Sequence, residues 1–114
     1  QGRRLQHDPG AARLQRRDLA GARRALDDAR RRGADTGEYW RARASVRGAA
    51  GDRPGAFAAA REGVARWPAA RPWAVYAAHA WNAGARDEAG RAVAEALRLS
   101  PGDAEVRRIA SAVR

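Results

Sequence analysis

The sequence predicts an all-α fold of antiparallel helical hairpins, stacked one on the next and finished by a C-terminal capping helix. Three observations carry that prediction. Alanine, the strongest helix former, is very abundant while large apolar residues are sparse, so a core has to come from close helix packing. No run of alternating β-branched residues, the mark of a half-buried strand, occurs anywhere. The chain also matches itself at a spacing of 33 residues, with Trp73 on Trp40, Ala77 on Ala44, Gly84 on Gly51, Ala89 on Ala56, Glu95 on Glu62 and Pro101 on Pro68. At 114 residues there is room for about three such hairpins in one domain, 1–114.

Residues Gln1 to His7 have no periodic face and read as a lead-in or the tail of an earlier helix. Asp8 and Pro9 then supply an N-cap acceptor and a first-turn proline. A shift of 34 from the middle copy sets Ala56 on Ala22, Asp52 on Asp18 and Gly63 on Ala29, with Arg17 where Gly51 would be and Ala34 where Pro68 would be. The first repeat, 8–35, is therefore degenerate. It is expected to hold a short helix, a tight turn beside Asp18 and a longer helix that stops at Gly33.

The second repeat, 36–69, opens on Thr36 as N-cap, with Glu38 well placed for the helix dipole. Its first helix runs to about Ala49, turns through Gly51 and Asp52, and restarts at Pro54 for a helix ending near Trp67. Pro68 and Pro72 bracket the link to the third repeat, 70–102. There Trp73, Tyr76, Ala77 and Ala80 make one stripe, Gly84 and Ala85 break it, and Ala89, Ala92, Val93, Ala96 and Leu97 resume it. Gly102 and Asp103 start the last segment, 103–114, where Val106, Ile109, Ala110 and Val113 give a one-faced helix. Such a helix suits the end of a stack, which needs a polar outer face. The N-terminal end shows no comparable cap, which predicts further repeats or another domain upstream.

The pattern Trp73-x-x-Tyr76-Ala77-x-x-Ala80, followed by Gly84, Ala89, Ala96 and Pro101, resembles the tetratricopeptide repeat. The resemblance implies a short right-handed solenoid whose first helices line a concave surface that binds peptides. It also implies a non-enzymatic interaction module or scaffold. In that frame Trp73, Tyr76, Ala77 and Ala80 look inward, and Arg71, Ala74, Val75, Ala78, Trp81 and Asn82 form the neighbouring stripe. The matching stripe in the second repeat is Glu38, Arg41, Ala42, Ser45 and Ala49. The candidate peptide groove is Glu38, Arg41, Ser45, Arg71, Ala78, Trp81 and Asn82. In it Arg41 and Arg71 would take carboxylates and Trp81 an apolar side chain, unless Trp81 packs against a neighbouring helix. The family's carboxylate-clamp specificity does not carry over, because Ser45 and Val75 stand where asparagines would be expected. Arg43 and Arg47 depart from the pattern on the inward face of the second repeat, and either snorkel past Trp40 or mark a rotated helix. Trp67 is read as an inter-repeat packing residue or an exposed aromatic.

The formal net charge is +10, and all 23 basic residues are arginine. Either a GC-rich coding bias or a basic docking surface accounts for this. The N-terminal third carries ten arginines against five aspartates, so a basic surface would consist of Arg23, Arg24, Arg30, Arg31 and Arg32.

With no cysteine, disulfides and thiolate metal sites are excluded, and the redox compartment is undetermined. No apolar run approaches a membrane span and no signal peptide is visible. The lack of methionine marks a trimmed or processed product, or a segment of a longer protein. His7 and His79 have no carboxylate at helical spacing, the serines lie in no nucleophile motif, no glycine-rich phosphate loop occurs, and Asp27 and Asp28 diverge on their helix. No catalysis, cofactor or metal is expected. The leading expectation is a protein-binding helical repeat, of the kind used in bacterial assembly, secretion or regulatory systems on the family resemblance. Its partner is a protein or peptide segment, including an acidic one. The alternatives are a nucleic-acid or polyanion binder on the same scaffold, and an appendage that positions a separate enzyme.

Overall fold

The structure, a computed structural model, describes residues 9–113. Six helices and no strand occur among the described residues: α1 (Pro9–Arg31), α2 (Gly37–Ala49), α3 (Arg53–Arg66), α4 (Ala70–Asn82), α5 (Arg86–Leu99) and α6 (Ala104–Ala112). The expected lead-in at Gln1 to His7 and the Asp8 cap lie outside the described residues. No helix is long and apolar enough to cross a membrane among the described residues.

One expectation is overturned in the first repeat. The interval 8–35 holds a single helix, α1, and not a hairpin with a turn at Asp18. The reason is local. The turns after α2 and α4 each need a glycine at positive φ, Gly51 at 86° and Gly84 at 88°, whereas Arg17 and Asp18 stand in a run of good helix formers. The matching stop comes later, at Gly33 with φ 96°. All three glycines close the same motif. The amide after each bonds a carbonyl five residues back, Ala34 to Ala29, Asp52 to Arg47 and Ala85 to Ala80, at 2.8 to 3.0 Å. The glycine amide itself bonds the carbonyl three residues back.

Helix starts follow the sequence closely. Thr36 accepts from the Tyr39 amide at 3.1 Å, Asp52 from Gly55 at 2.9 Å, and Asp103 from Glu105 and Val106 at 2.9 and 3.1 Å. Gly37 opens α2 because the backbone there lies against the end of α3. A Cβ at that position would come within 2.5 Å of Trp67 Cβ.

The helices pack in sequence order: α2 on α3, α3 on α4, α4 on α5, and α6 against both α4 and α5. This arrangement of adjacent helices is consistent with a helical repeat. Ala44, Ala59, Ala60, Val64, Tyr76, Ala77 and Ala92 form one buried cluster. Ala74, Ala96, Val106, Ile109 and Val113 form a second. Trp73 and Val93 pack against both, so the indole of Trp73 joins the two halves of the core. Its ring meets Tyr76 edge-on at 5.9 Å, and Tyr76 stacks on Phe57 at 5.6 Å. Ala44, Ala77 and Ala89 have no exposed surface, as close helix crossings at small residues require.

Candidate functional site

The second and third repeats present α2 and α4 side by side, and α6 continues the row against α4. Along this row run three adjoining hollows. The first, about 250 Å³, is lined by Glu38, Arg41, Ala42, Ser45 and Trp67. The second, about 420 Å³, lies between Ser45, Gly48 and Ala49 of α2, Arg53 and Ala56 of α3, and His79 and Asn82 of α4. The third, about 410 Å³, takes Val75, Ala78, Trp81 and Asn82 from α4 and Glu105, Arg108, Ile109 and Ala112 from α6. Ser45 borders the first two and Asn82 the last two, so neighbouring hollows share a lining residue.

Six of the seven groove residues expected from sequence line this row: Glu38, Arg41, Ser45, Ala78, Trp81 and Asn82. Arg71 lines none of these hollows. Its guanidinium reaches Asp103 at 3.0 Å, tying the start of α4 to the start of α6. Ala74 is also displaced from the expected stripe, because α6 covers it completely. Trp81 takes the packing role considered for it and also borders a hollow. It packs against the α6 cluster and lines the third hollow, and the guanidinium of Arg86 sits 4.1 Å from its ring centroid. Trp67 is 40% exposed, with Arg41 at 6.0 Å from its ring.

His79 is half-buried in the second hollow, and burial lowers its pKa below the ordinary histidine value. The imidazole therefore stays neutral more readily than a free one and offers one donor and one acceptor to the hollow. Asp103 titrates below the usual carboxylate range because the Val106 amide, and then Arg71, favour its charged form. Behind the row, Tyr76 donates to Glu88 at 2.6 Å. Burial and this carboxylate raise the tyrosine pKa, and the same bond, with Arg91, lowers that of Glu88.

Arg47 borders a cleft between α1 and α2. Arg43 does not rest on Trp40; it donates to Asp27 of α1 at 3.0 Å and to the Tyr39 hydroxyl at 2.9 Å. The guanidiniums over Trp40 are those of Arg30 and Arg66, each at 5.3 Å. Asp35 accepts from the Trp40 indole at 2.8 Å and from Arg66 at 3.0 Å, and these contacts lower its pKa.

Of the five arginines of the expected basic surface, Arg23 borders the cleft between α1 and α2, Arg30 lies over Trp40, and Arg31 and Arg32 pair with Asp28. Arg24 is exposed. Among the described residues no group of three His, Cys, Asp or Glu side chains is placed to hold a metal.

Comparison with family models, with curated proteins and with solved structures finds no match. The lining residues that sequence reasoning missed are chiefly Arg53, Glu105, Arg108 and Ile109. A signal for α6 was available. One further step of 33 residues sets Arg108 on Val75 and Ser111 on Ala78, which gives α6 the position of a first helix.

Proposed function

We propose that this chain is a tetratricopeptide-like helical repeat of right-handed twist, and a non-enzymatic module that binds an extended peptide or a partner's helix along α2, α4 and α6. One observation supports this most: hollows along three alternate helices, α2, α4 and α6, adjoin at the shared lining residues Ser45 and Asn82. The row mixes two indoles, an amide, a hydroxyl, an imidazole and three guanidiniums, from Arg41, Arg53 and Arg108, with two carboxylates, Glu38 and Glu105. Planar guanidiniums can take carboxylates by paired hydrogen bonds, and Trp81 beside Val75, Ala78 and Ile109 offers an apolar anchor point. The partner is an amphipathic segment with acidic residues spaced around an apolar one.

The reading is tested with peptides selected from a random displayed library on the intact protein. Their affinity is measured by tryptophan fluorescence against Trp81→Ala, Asn82→Arg and Arg41→Glu, with Arg107→Gln as control. Asn82 is exposed, so its substitution leaves the fold intact. Loss of binding by roughly tenfold or more in the groove variants is expected, as for a central interface residue. Peptides that bind Asn82→Arg and Arg41→Glu as well as the parent would refute the track.

A further inference from the structure

The cleft between α1 and α2 lies on a different face of α2 from the peptide track. It encloses about 350 Å³, at the lower end of the volumes that hold small organic ligands. Leu26 and Val46 give it apolar lining, and Arg23, Arg43 and Arg47 bring three guanidiniums to it. Two carboxylates are present, and both are engaged. Asp27 holds Arg43 at 3.0 Å, and Asp52 caps α3 through the Gly55 amide. Arg23 and Arg47 make no salt bridge among the described residues. Arg47 is half-buried as well, so it has given up part of its hydration without gaining an anion.

The seam between α3 and α4 shows the same location built for packing alone. At the repeat spacing of 34 residues from the first copy to the second and 33 from the second to the third, Arg23 corresponds to Phe57, which packs against the core, and Arg43 and Arg47 correspond to the buried Tyr76 and Ala80. A buried, largely apolar seam is thus available to this architecture. The α1–α2 seam instead holds Arg23 and Arg47, two guanidiniums without a salt bridge among the described residues, which line one hollow from different helices.

We propose that this cleft binds a phosphate monoester, with its head group between Arg23 and Arg47 and its stem on Leu26 and Val46. Above about pH 7 such a head carries close to two negative charges. Two guanidiniums from different helices match that charge, and each presents a planar fork to the tetrahedral oxygens. A single carboxylate would leave one guanidinium uncompensated.

The test is a titration followed by backbone amide NMR shifts of Ala50 and Asp52, at neutral to slightly alkaline pH. Phenyl phosphate, benzoate and a short phosphoserine peptide serve as probes. Phenyl phosphate is expected to move both amides and to bind more tightly than benzoate. Arg23→Gln and Arg47→Gln should each weaken it by roughly tenfold to a hundredfold, the worth of a hydrogen bond to a charged group, while Arg107→Gln leaves it unchanged. Tighter binding of the phosphoserine peptide than of phenyl phosphate assigns the ester to a protein partner, and the reverse order assigns it to a small metabolite. The proposal is overturned if millimolar phenyl phosphate moves neither amide, if benzoate binds equally well, or if Arg23→Gln retains parental affinity. Arg23 is exposed, so that variant decides the matter even if Arg47→Gln fails to fold. Binding on the peptide track is read at Trp81, Asn82 and Arg41, so failure of either site leaves the other standing.

Discussion

Between α3 and α4 the chain buries Ala56, Ala59, Ala60, Tyr76, Ala77 and Ala80, and the seam is mostly apolar. Between α1 and α2 the contact is a half-buried ion pair, Asp27 with Arg43, beside an open cleft, and no described side chain of α1 is buried. The links differ too. α1 ends in a glycine-closed turn at Gly33, while α3 ends at Trp67 with negative φ, −142°, followed by Pro68. Burial of small apolar residues fixes one helix against the next over a broad area. A polar seam holds by a few directional contacts and leaves room for a ligand. The first helix is therefore attached to the stack, and the later hairpins are fused into it.

That comparison is sharpest for the two equivalent tryptophans. Trp73→Ala should cost about 3–5 kcal/mol, because the indole packs against both core clusters. Trp40→Ala should cost clearly less, since Trp40 reaches one cluster and otherwise meets Asp35 and arginines. Chemical denaturation of both variants would break the comparison if the losses were equal.

Ala89→Leu comes next, at roughly 1–3 kcal/mol from overpacking a closed crossing, because Ala89 has no exposed surface. A variant that melts like the parent would show that α4 and α5 can separate there. Across the polar seam, Asp27→Ala should cost about 1 kcal/mol or less, since the Asp27 side chain is 40% exposed and the Arg43 side chain 19%. A double-mutant cycle with Arg43→Gln isolates that pair.

The helix starts allow a small gain. Thr36 caps α2, whereas its equivalent Ala69 has the extended backbone of an N-cap, φ −109° and ψ 171°, and no side chain to cap α4. Ala69→Ser should stabilise by about 1 kcal/mol, read as a rise in midpoint at constant slope in urea. The equivalent change at Ala85 would not transfer so simply. The Asp52 cap needs Gly55, since a Cβ there would run into the carboxylate, and the third repeat has Glu88 at that position.

His79 adds a pH dependence to the fused region. Its pKa is lower in the fold than in the open chain, so the fold disfavours the protonated form. Stability is fully present above the unfolded value of about 6.5 and falls as pH drops through it toward the folded value. His79→Gln should flatten that slope in denaturation curves taken on either side of the unfolded value. An unchanged slope would mean that burial of the imidazole carries no such linkage.

Much of the local structure was legible in the sequence because its causes are local. Thr36, Asp52 and Asp103 cap helices through their own side chains, and Gly33, Gly51 and Gly84 take a backbone conformation that other residues resist. The repeat spacing placed the alanines of the close crossings and most of the groove stripe. It misled at Asp18, where a frame carried over from the better copies required a turn that the residues themselves do not favour.

Charge and reach were not legible, because a long side chain's partner is set by which helix arrives beside it. Arg43 finds Asp27, Arg71 finds Asp103 across 32 residues, and Tyr76 finds Glu88. Nothing in their spacing announces those partners. The sequence by itself determined where helices begin and stop and which small residues touch. Only the tertiary structure decided which arginines are neutralised and which face an open hollow, since an ion pair needs two groups within a few ångströms and the stacking of distant segments alone brings them there.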